Sequence, residues 1–327
     1  MNLSLPPIVH YSKTKRNKTK QKLLRAGNAA GSRGGDTVYK FSKWREHGME
    51  ICQLSDNNGT TALFVPERGG ILTECCLNGV PLFYLDPETL WDRNKNIRGG
   101  NPVLFPICGP LEGGKYSLPD GSEYEMKQHG LARNMRWEVA TTDCREDRAE
   151  LVLETSSDEK TRQSYPFDFR LSFTYIIQDS KLTIKQRYQN TSVNDMPFYA
   201  GFHPYFLAPG LKAVSLSIPA KIYRDLKTGA ARDEIQSLDF NALPETNLVF
   251  TGLEQPEAGF TRQDGYKVTV RFDQAYRYIV LWALQDKNFL CLEPWMGDNY
   301  DMNRGLAYKL PSGEELSVMV SYSLERL

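Results

Sequence analysis

The two residues in this chain best suited to moving protons are His203 and Glu293. Each lies beside a proline among apolar or aromatic neighbours, in Gly201-Phe202-His203-Pro204-Tyr205-Phe206 and Cys291-Leu292-Glu293-Pro294-Trp295. An imidazole exchanges a proton near neutrality, its unperturbed pKa being about 6.5. A carboxylate in a partly apolar, aromatic-lined place can be tuned to accept one. A fixed acid and a fixed base facing one small molecule would move two protons on it. Each residue also has a plainer explanation: a core histidine bonded to backbone, or a strand-end carboxylate in a buried ion pair. Glu293, however, follows the apolar run Phe289-Leu290-Cys291-Leu292, and glutamate is rarely buried unless paired or used.

Two further peptides carry polar groups suited to a ligand. His129 sits in Gln128-His129-Gly130-Leu131-Ala132-Arg133-Asn134, where the glycine permits close backbone approach. Arg98, in Ile97-Arg98-Gly99-Gly100-Asn101-Pro102, offers a planar fork of donors for hydroxyls or carboxylates. The apolar Val103-Leu104-Phe105-Pro106-Ile107 follows at once, which places that arginine at a core-anchored rim. His10 and His47 have polar surroundings and are expected at the surface without a role. The six cysteines include no CxxC pair and no histidine at metal-ligand spacing. They are expected to be reduced, and no metal site is expected.

The elements that must hold these groups are strands. Phe169, Leu171, Phe173, Tyr175 and Ile177 alternate with polar residues, as do Leu182, Ile184 and Tyr188. Tyr266, Val268, Val270 and Phe272 repeat the pattern, and so do Leu316, Val318, Val320 and Tyr322. Such alternation marks antiparallel strands with one buried face. Shorter strands are expected at 38–41, 50–54, 62–66, 71–77, 137–142, 151–155, 214–218 and 278–284. Asn58-Gly59, Asn78-Gly79, Asp120-Gly121, Asp264-Gly265 and Ser312-Gly313 supply turns. Helical turns are expected only near 87–93 and 157–163. Many strands and few helices predict an all-β fold, a large antiparallel β-sandwich forming one domain over residues 37–327.

Formal charge balances at 40 basic and 40 acidic residues, but unevenly. No acidic residue precedes Asp36, whereas Lys13, Lys15, Arg16, Lys18, Lys20, Lys22, Arg25 and Arg33 do, so the remainder carries a net charge of −8. Residues 1–36 read as a basic, disordered tail, too polar to offset its ordering entropy. An organelle transit peptide is the alternative, but a tail rich in lysine and poor in serine fits a plain solvated extension better. The acidic body argues against nucleic acid as the main partner, and no apolar run approaches the ~20 residues that span a bilayer. A cytoplasmic protein, monomeric or homodimeric, is expected.

Taken together and in this order, Arg-Gly-Gly-x-Pro from Arg98, His-Gly-x-Ala-Arg-Asn from His129, Gly-x-His-Pro-Tyr-Phe around His203 and Leu-Glu-Pro-Trp around Glu293 resemble the aldose 1-epimerase (mutarotase) superfamily. Val65-Pro66-Glu67-Arg68-Gly69-Gly70 and Phe105-Pro106-Ile107-Cys108-Gly109 extend the resemblance, which is closest to the bacterial-type branch and spans all but the tail. It implies a galactose mutarotase-like supersandwich with a free sugar as ligand and neither metal nor organic cofactor. Glu293 would take the proton from the anomeric hydroxyl and His203 would protonate the ring oxygen. Arg98 and His129 would hold sugar hydroxyls. Asn247 stands where an aspartate is usual, so it would hold a hydroxyl without bringing charge. Tyr205, Phe206 and Trp295 are expected to wall the sugar's C–H face, and residues 252–265 to form an insert shaping one side of the cleft. Two rivals stand beside a free-sugar mutarotase. One is a hexose-6-phosphate 1-epimerase with Arg93, Lys95, Arg98 and Arg133 holding phosphate; the other is a non-catalytic carbohydrate-binding protein.

Overall fold

Strands form where apolar and polar residues alternate, because a pleated chain sends successive side chains to opposite faces. Phe169–Gln178 buries the five alternating residues from Phe169 to Ile177 and leaves Arg170 exposed. In this structure, a computed structural model, residues 37–211, 214–232, 240 and 244–327 are described. The tail expected over residues 1–36, His10 included, lies outside them.

Phe169–Gln178 belongs to an eight-stranded antiparallel sheet with the order Ser215–Ser217, Glu257–Thr261, Tyr266–Phe272, Glu315–Arg326, Lys181–Asn190, Phe169–Gln178, Ala149–Ser156, Glu138–Cys144. A second antiparallel sheet runs Ala231–Arg232, Ala220–Asp225, Glu245–Leu253, Tyr278–Leu284, Phe289–Trp295, Gly201–Phe202, Val103–Leu104, with Tyr205–Leu207 also paired to Phe289–Trp295. Lys40–Glu46, Met49–Ser55, Thr61–Val65, Ile71–Leu77 and Val80–Pro81 make a five-stranded sheet in chain order. The two large sheets share one core. Phe206 meets Tyr322 at 5.7 Å and Phe260 at 5.8 Å, while Phe202 meets Phe173 at 6.0 Å. The molecule is an all-β antiparallel sandwich, as the alternation predicts.

The two expected helical turns are Pro87–Trp91, capped by Asp86, and Glu159–Arg162, which has a capping box on Asp158. Residues 252–265 are not a cleft-shaping insert. They finish the strand Glu245–Leu253, cross to the other sheet as Glu257–Thr261 and turn into Tyr266–Phe272. None of them lines the cleft described below. Glycine, proline and acidic residues at 252–257 hid a strand whose Phe260 is a core residue.

Candidate active site

Register builds the floor of a cleft on the outer face of the second sheet. Gly201 pairs with Trp295 and Tyr205 with Cys291, so His203, midway between them, falls opposite Glu293. Residues directly opposite in an antiparallel pair share a face. On the other flank of Phe289–Trp295, Val280 pairs with Glu293 and Trp282 with Cys291. One strand further, Asn247 pairs with Trp282 and Val249 with Val280. Two rows result: Asn247-Trp282-Cys291-Tyr205 and Val249-Val280-Glu293-His203. The alternate residues Leu248, Leu281, Leu290, Leu292 and Phe202 turn the other way and are buried in the sandwich core.

His203 Nε2 lies 3.4 Å from Glu293 Oε1, the side chains being 12% and 2% exposed. The Trp295 indole N–H donates to Glu293 Oε2 at 3.1 Å. That indole needs Gly201, since a Cβ there would sit 2.9 Å from Trp295 Cδ1 and 2.7 Å from Cys108 Sγ. Burial drives the Glu293 carboxyl well above the usual range, with the Trp295 hydrogen bond and the Arg133 charge opposing. Burial first, then the Arg133 and Arg98 charges, draw His203 down to about 3, against its own backbone hydrogen bond. Both shifts favour the uncharged forms, carboxyl and neutral imidazole, over the ion pair. Tyr205 stacks on the imidazole at 4.7 Å and 10°, and the Trp282 ring meets it edge-on at 5.7 Å.

The rim is held by loops. The Arg98 N–H donates to Thr89 Oγ1 at 2.9 Å, and its carbonyl accepts from the Asp86 N–H at 2.8 Å. Gly99 packs so closely that a Cβ would lie 2.4 Å from Leu85 Cα. Behind this loop the buried Arg68 donates to the carbonyls of Thr89, Leu90, Asp92 and Lys95, at 3.0–3.2 Å. His129 sits at φ 67° and makes a reciprocal pair with Gly109. Its N–H donates to the Gly109 carbonyl at 2.9 Å, and the Gly109 N–H donates to its Nδ1 at 3.1 Å. Nδ1 is thus an acceptor, and the ring is held neutral with its proton on Nε2. Burial and the neighbouring His203 and Arg133 charges draw its pKa well down.

Arg98, His129, His203, Asn247 and Glu293 all line one cleft of about 300 Å³. Arg133, expected only as a phosphate ligand, lines it too, as do Gln128, Glu245, Trp282 and Asn299, which were not singled out from sequence. Arg133 was legible from its motif. Asn299 had no signal, because its place depends on Gly109, where a Cβ would fall 1.8 Å from Asn299 Oδ1. His203 Nδ1, Arg133 Nε and Asn299 Oδ1 are buried in this cleft without a hydrogen-bond partner. Among the described residues these atoms are left for a polar ligand to satisfy.

Three expectations need correction. Phe206 does not wall the cleft; alternation turns it into the core, and Trp282 stands with Tyr205 and Trp295 instead. Arg93 and Lys95 do not join Arg98 and Arg133 in a cationic pocket, because they pair with Glu67 at 3.3 Å and Asp92 at 3.7 Å. Linear spacing also concealed a group of metal-ligating types, for ligand atoms of His203, Cys291 and Glu293 lie within 4.8 Å of one another.

Comparison with known proteins agrees with this fold. The Slr1438 protein of Synechocystis sp. PCC 6803 superposes with a TM-score of 0.79 at 34% identity, over 91% of this chain and 100% of that one. A galactose mutarotase-like protein of Clostridium acetobutylicum shares the fold at a TM-score of 0.77 and 18% identity, over 89% and 99% of the two chains. Chromosomal protein LacX of Lactococcus lactis is 23% identical over 248 residues, 67% of this chain and 81% of its own length. The family model described as aldose 1-epimerase matches residues 51–317, and the chain belongs to that family.

Proposed function

We propose that this protein is a mutarotase that interconverts the α- and β-anomers of an aldohexose, with His203 and Glu293 as its proton-transfer pair. The observation that carries this reading is their placement opposite one another on the cleft floor, 3.4 Å apart. Ring opening needs the C1 hydroxyl deprotonated while the ring oxygen is protonated, and reclosure on the other face reverses both transfers. Opening starts with carboxylate and imidazolium and ends with carboxyl and imidazole. The second of these is the form burial favours, and the two differ by one proton moved between the partners. Each positioned group of this kind contributes about 10²–10⁴-fold. Arg98, His129, Asn247 and the two unsatisfied groups on Arg133 and Asn299 hold the sugar's hydroxyls.

The reading is tested by NMR exchange or polarimetry on freshly dissolved glucose and galactose. Catalysed anomerisation is expected, and equilibration no faster than in buffer would overturn it. One observation favours a phosphorylated hexose as the substrate: Arg98 is exposed, with no carboxylate in salt-bridge range among the described residues. The same assay on glucose 6-phosphate decides, a preference of tenfold or more selecting the phosphate.

A further inference from the structure

Just beneath the cleft floor lies a thiol that the proton-transfer reaction does not use. Cys291 is two residues before Glu293 on one strand and therefore presents its sulfur to the same face. It is fully buried between Trp282 and Tyr205, its partners in register on either side. A ring nitrogen of His203, a Glu293 oxygen and Cys291 Sγ lie within 4.8 Å of one another. Packing alone needs no sulfur here, since any small apolar side chain fills such a slot.

We propose that His203, Cys291 and Glu293 form a binding site for a zinc-type divalent cation, which closes the cleft to sugar. Thiolate, imidazole and carboxylate suit zinc, whereas calcium and magnesium prefer all-oxygen sites. Zinc bonds of about 2.0–2.2 Å to nitrogen and oxygen at tetrahedral angles place those two atoms about 3.3–3.5 Å apart. His203 Nε2 and Glu293 Oε1 stand at 3.4 Å. Sulfur at about 2.3 Å from the ion needs roughly 3.5 Å to each of them, so from within 4.8 Å Sγ closes by about 1.3 Å at most. His203 Nδ1 makes no hydrogen bond to another described residue, and with the ring proton on Nδ1 the lone pair of Nε2 is available to the ion. Binding releases the Cys291 thiol proton and the Glu293 carboxyl proton to solvent and changes no oxidation state. The fourth position faces the cleft, where water completes the shell.

Ion binding stands on geometry alone; only the inhibition rests on the mutarotase reading. The test is a titration of the full-length protein with cobalt(II), a spectroscopic stand-in for zinc, in Cys291→Ser and Cys291→Ala variants and in Cys144→Ala as a control at an exposed thiol. One equivalent of cobalt is expected to produce a thiolate-to-cobalt charge-transfer band. The band should vanish in both Cys291 variants and persist in Cys144→Ala. In mutarotation assays zinc should compete with sugar and be reversed by chelator. Without metal both Cys291 variants should turn over within severalfold of the parent, and their half-inhibiting zinc concentration should rise about 30-fold or more. Absence of the band, or its survival in Cys291→Ser with native circular dichroism, overturns the site. A band in a protein without anomerase activity leaves the site standing and removes the catalytic reading instead.

Discussion

The floor and the rim of the cleft are built by different means. The floor is assembled by register: four neighbouring segments pair so that His203, Glu293, Trp282 and Asn247 fall on one face in adjacent rows. His203 sits in the two-residue break between Gly201–Phe202 and Tyr205–Leu207, held in register from both sides, and a one-residue slip would turn these side chains toward the core. The rim depends on local devices: glycines at positive φ, a reciprocal hydrogen-bonded pair, and one arginine tying four carbonyls. The contrast teaches that the proton-transfer pair is as rigid as the sandwich, whereas the groups that hold the ligand can be loosened one at a time. Substitutions of His203 or Glu293 should therefore alter turnover, and substitutions in the rim should alter KM.

The sharpest break in that comparison is at the pair itself. Glu293→Gln and His203→Asn are each expected to lower turnover at least ~100-fold while sugar affinity stays within severalfold. Unchanged turnover in both, by NMR exchange, would move the chemistry off the floor. The two cleft histidines also make a stability prediction with a definite sign, read in a Glu293→Gln background because the raised Glu293 carboxyl acts in the opposite sense. His203 and His129 are held neutral in the fold, with burial the main cause and the Arg133 charge lowering both. In the unfolded chain each takes up a proton below about 6.5. Their contribution is thus complete above that pH and lost as pH falls toward about 3, the folded value of His203. Urea midpoints measured with chelator present should drop from pH 7 to pH 4.5. The drop should be smaller in His203→Asn, and an equal drop would remove His203 from the acid response.

Rim substitutions come next in size. Gly109→Ala places a methyl group 1.8 Å from Asn299 Oδ1 at a backbone φ of 72°, so Asn299 must leave and the His129 contact must shift. A KM increase of about tenfold with kcat within severalfold is expected. Arg68→Met removes the donor to four buried or half-buried carbonyls without touching the cleft. It should destabilise the protein by about 3 kcal/mol in chemical denaturation. It should also raise KM several-fold by freeing the Arg98 loop. If Arg68→Met changed stability alone, the loop would be rigid without its tie and the rim less local than argued.

The same division explains what the sequence made legible. The sandwich could be read because alternation reports which residues face the core, as in Phe169–Gln178. His203 and Glu293 could be read because chemistry-bearing residues in apolar peptides stand out. Their partners could not. Cys291 shares the face of Glu293 by simple alternation, but its approach to His203, and the place of Trp282 at the cleft wall, come only through pairing across strands. Asn299 depends on a glycine 190 positions earlier in the chain. Arg93 and Lys95 looked like phosphate ligands because composition records charge but not the carboxylates that neutralise it.

The smallest effect is expected at the floor's outer edge, where the two modes meet. Asn247 lies on the cleft face two residues after Glu245, which also lines the cleft. Glu245 accepts from the Trp282 indole at 2.6 Å and pairs with Lys227 at 2.5 Å, so a carboxylate already stands beside the neutral amide. Asn247→Asp adds a second negative charge there. A neutral sugar meets another acceptor and should change in kcat/KM by less than about threefold. A sugar phosphate meets repulsion of about 1 kcal/mol in this half-exposed setting, or about fivefold. The ratio of kcat/KM for glucose to that for glucose 6-phosphate should therefore rise about fivefold, and less at high salt. A ratio that does not move would mean that the phosphate, if accepted at all, lies toward Arg98 at the opposite rim. Asn247 would then have no part in discriminating charge.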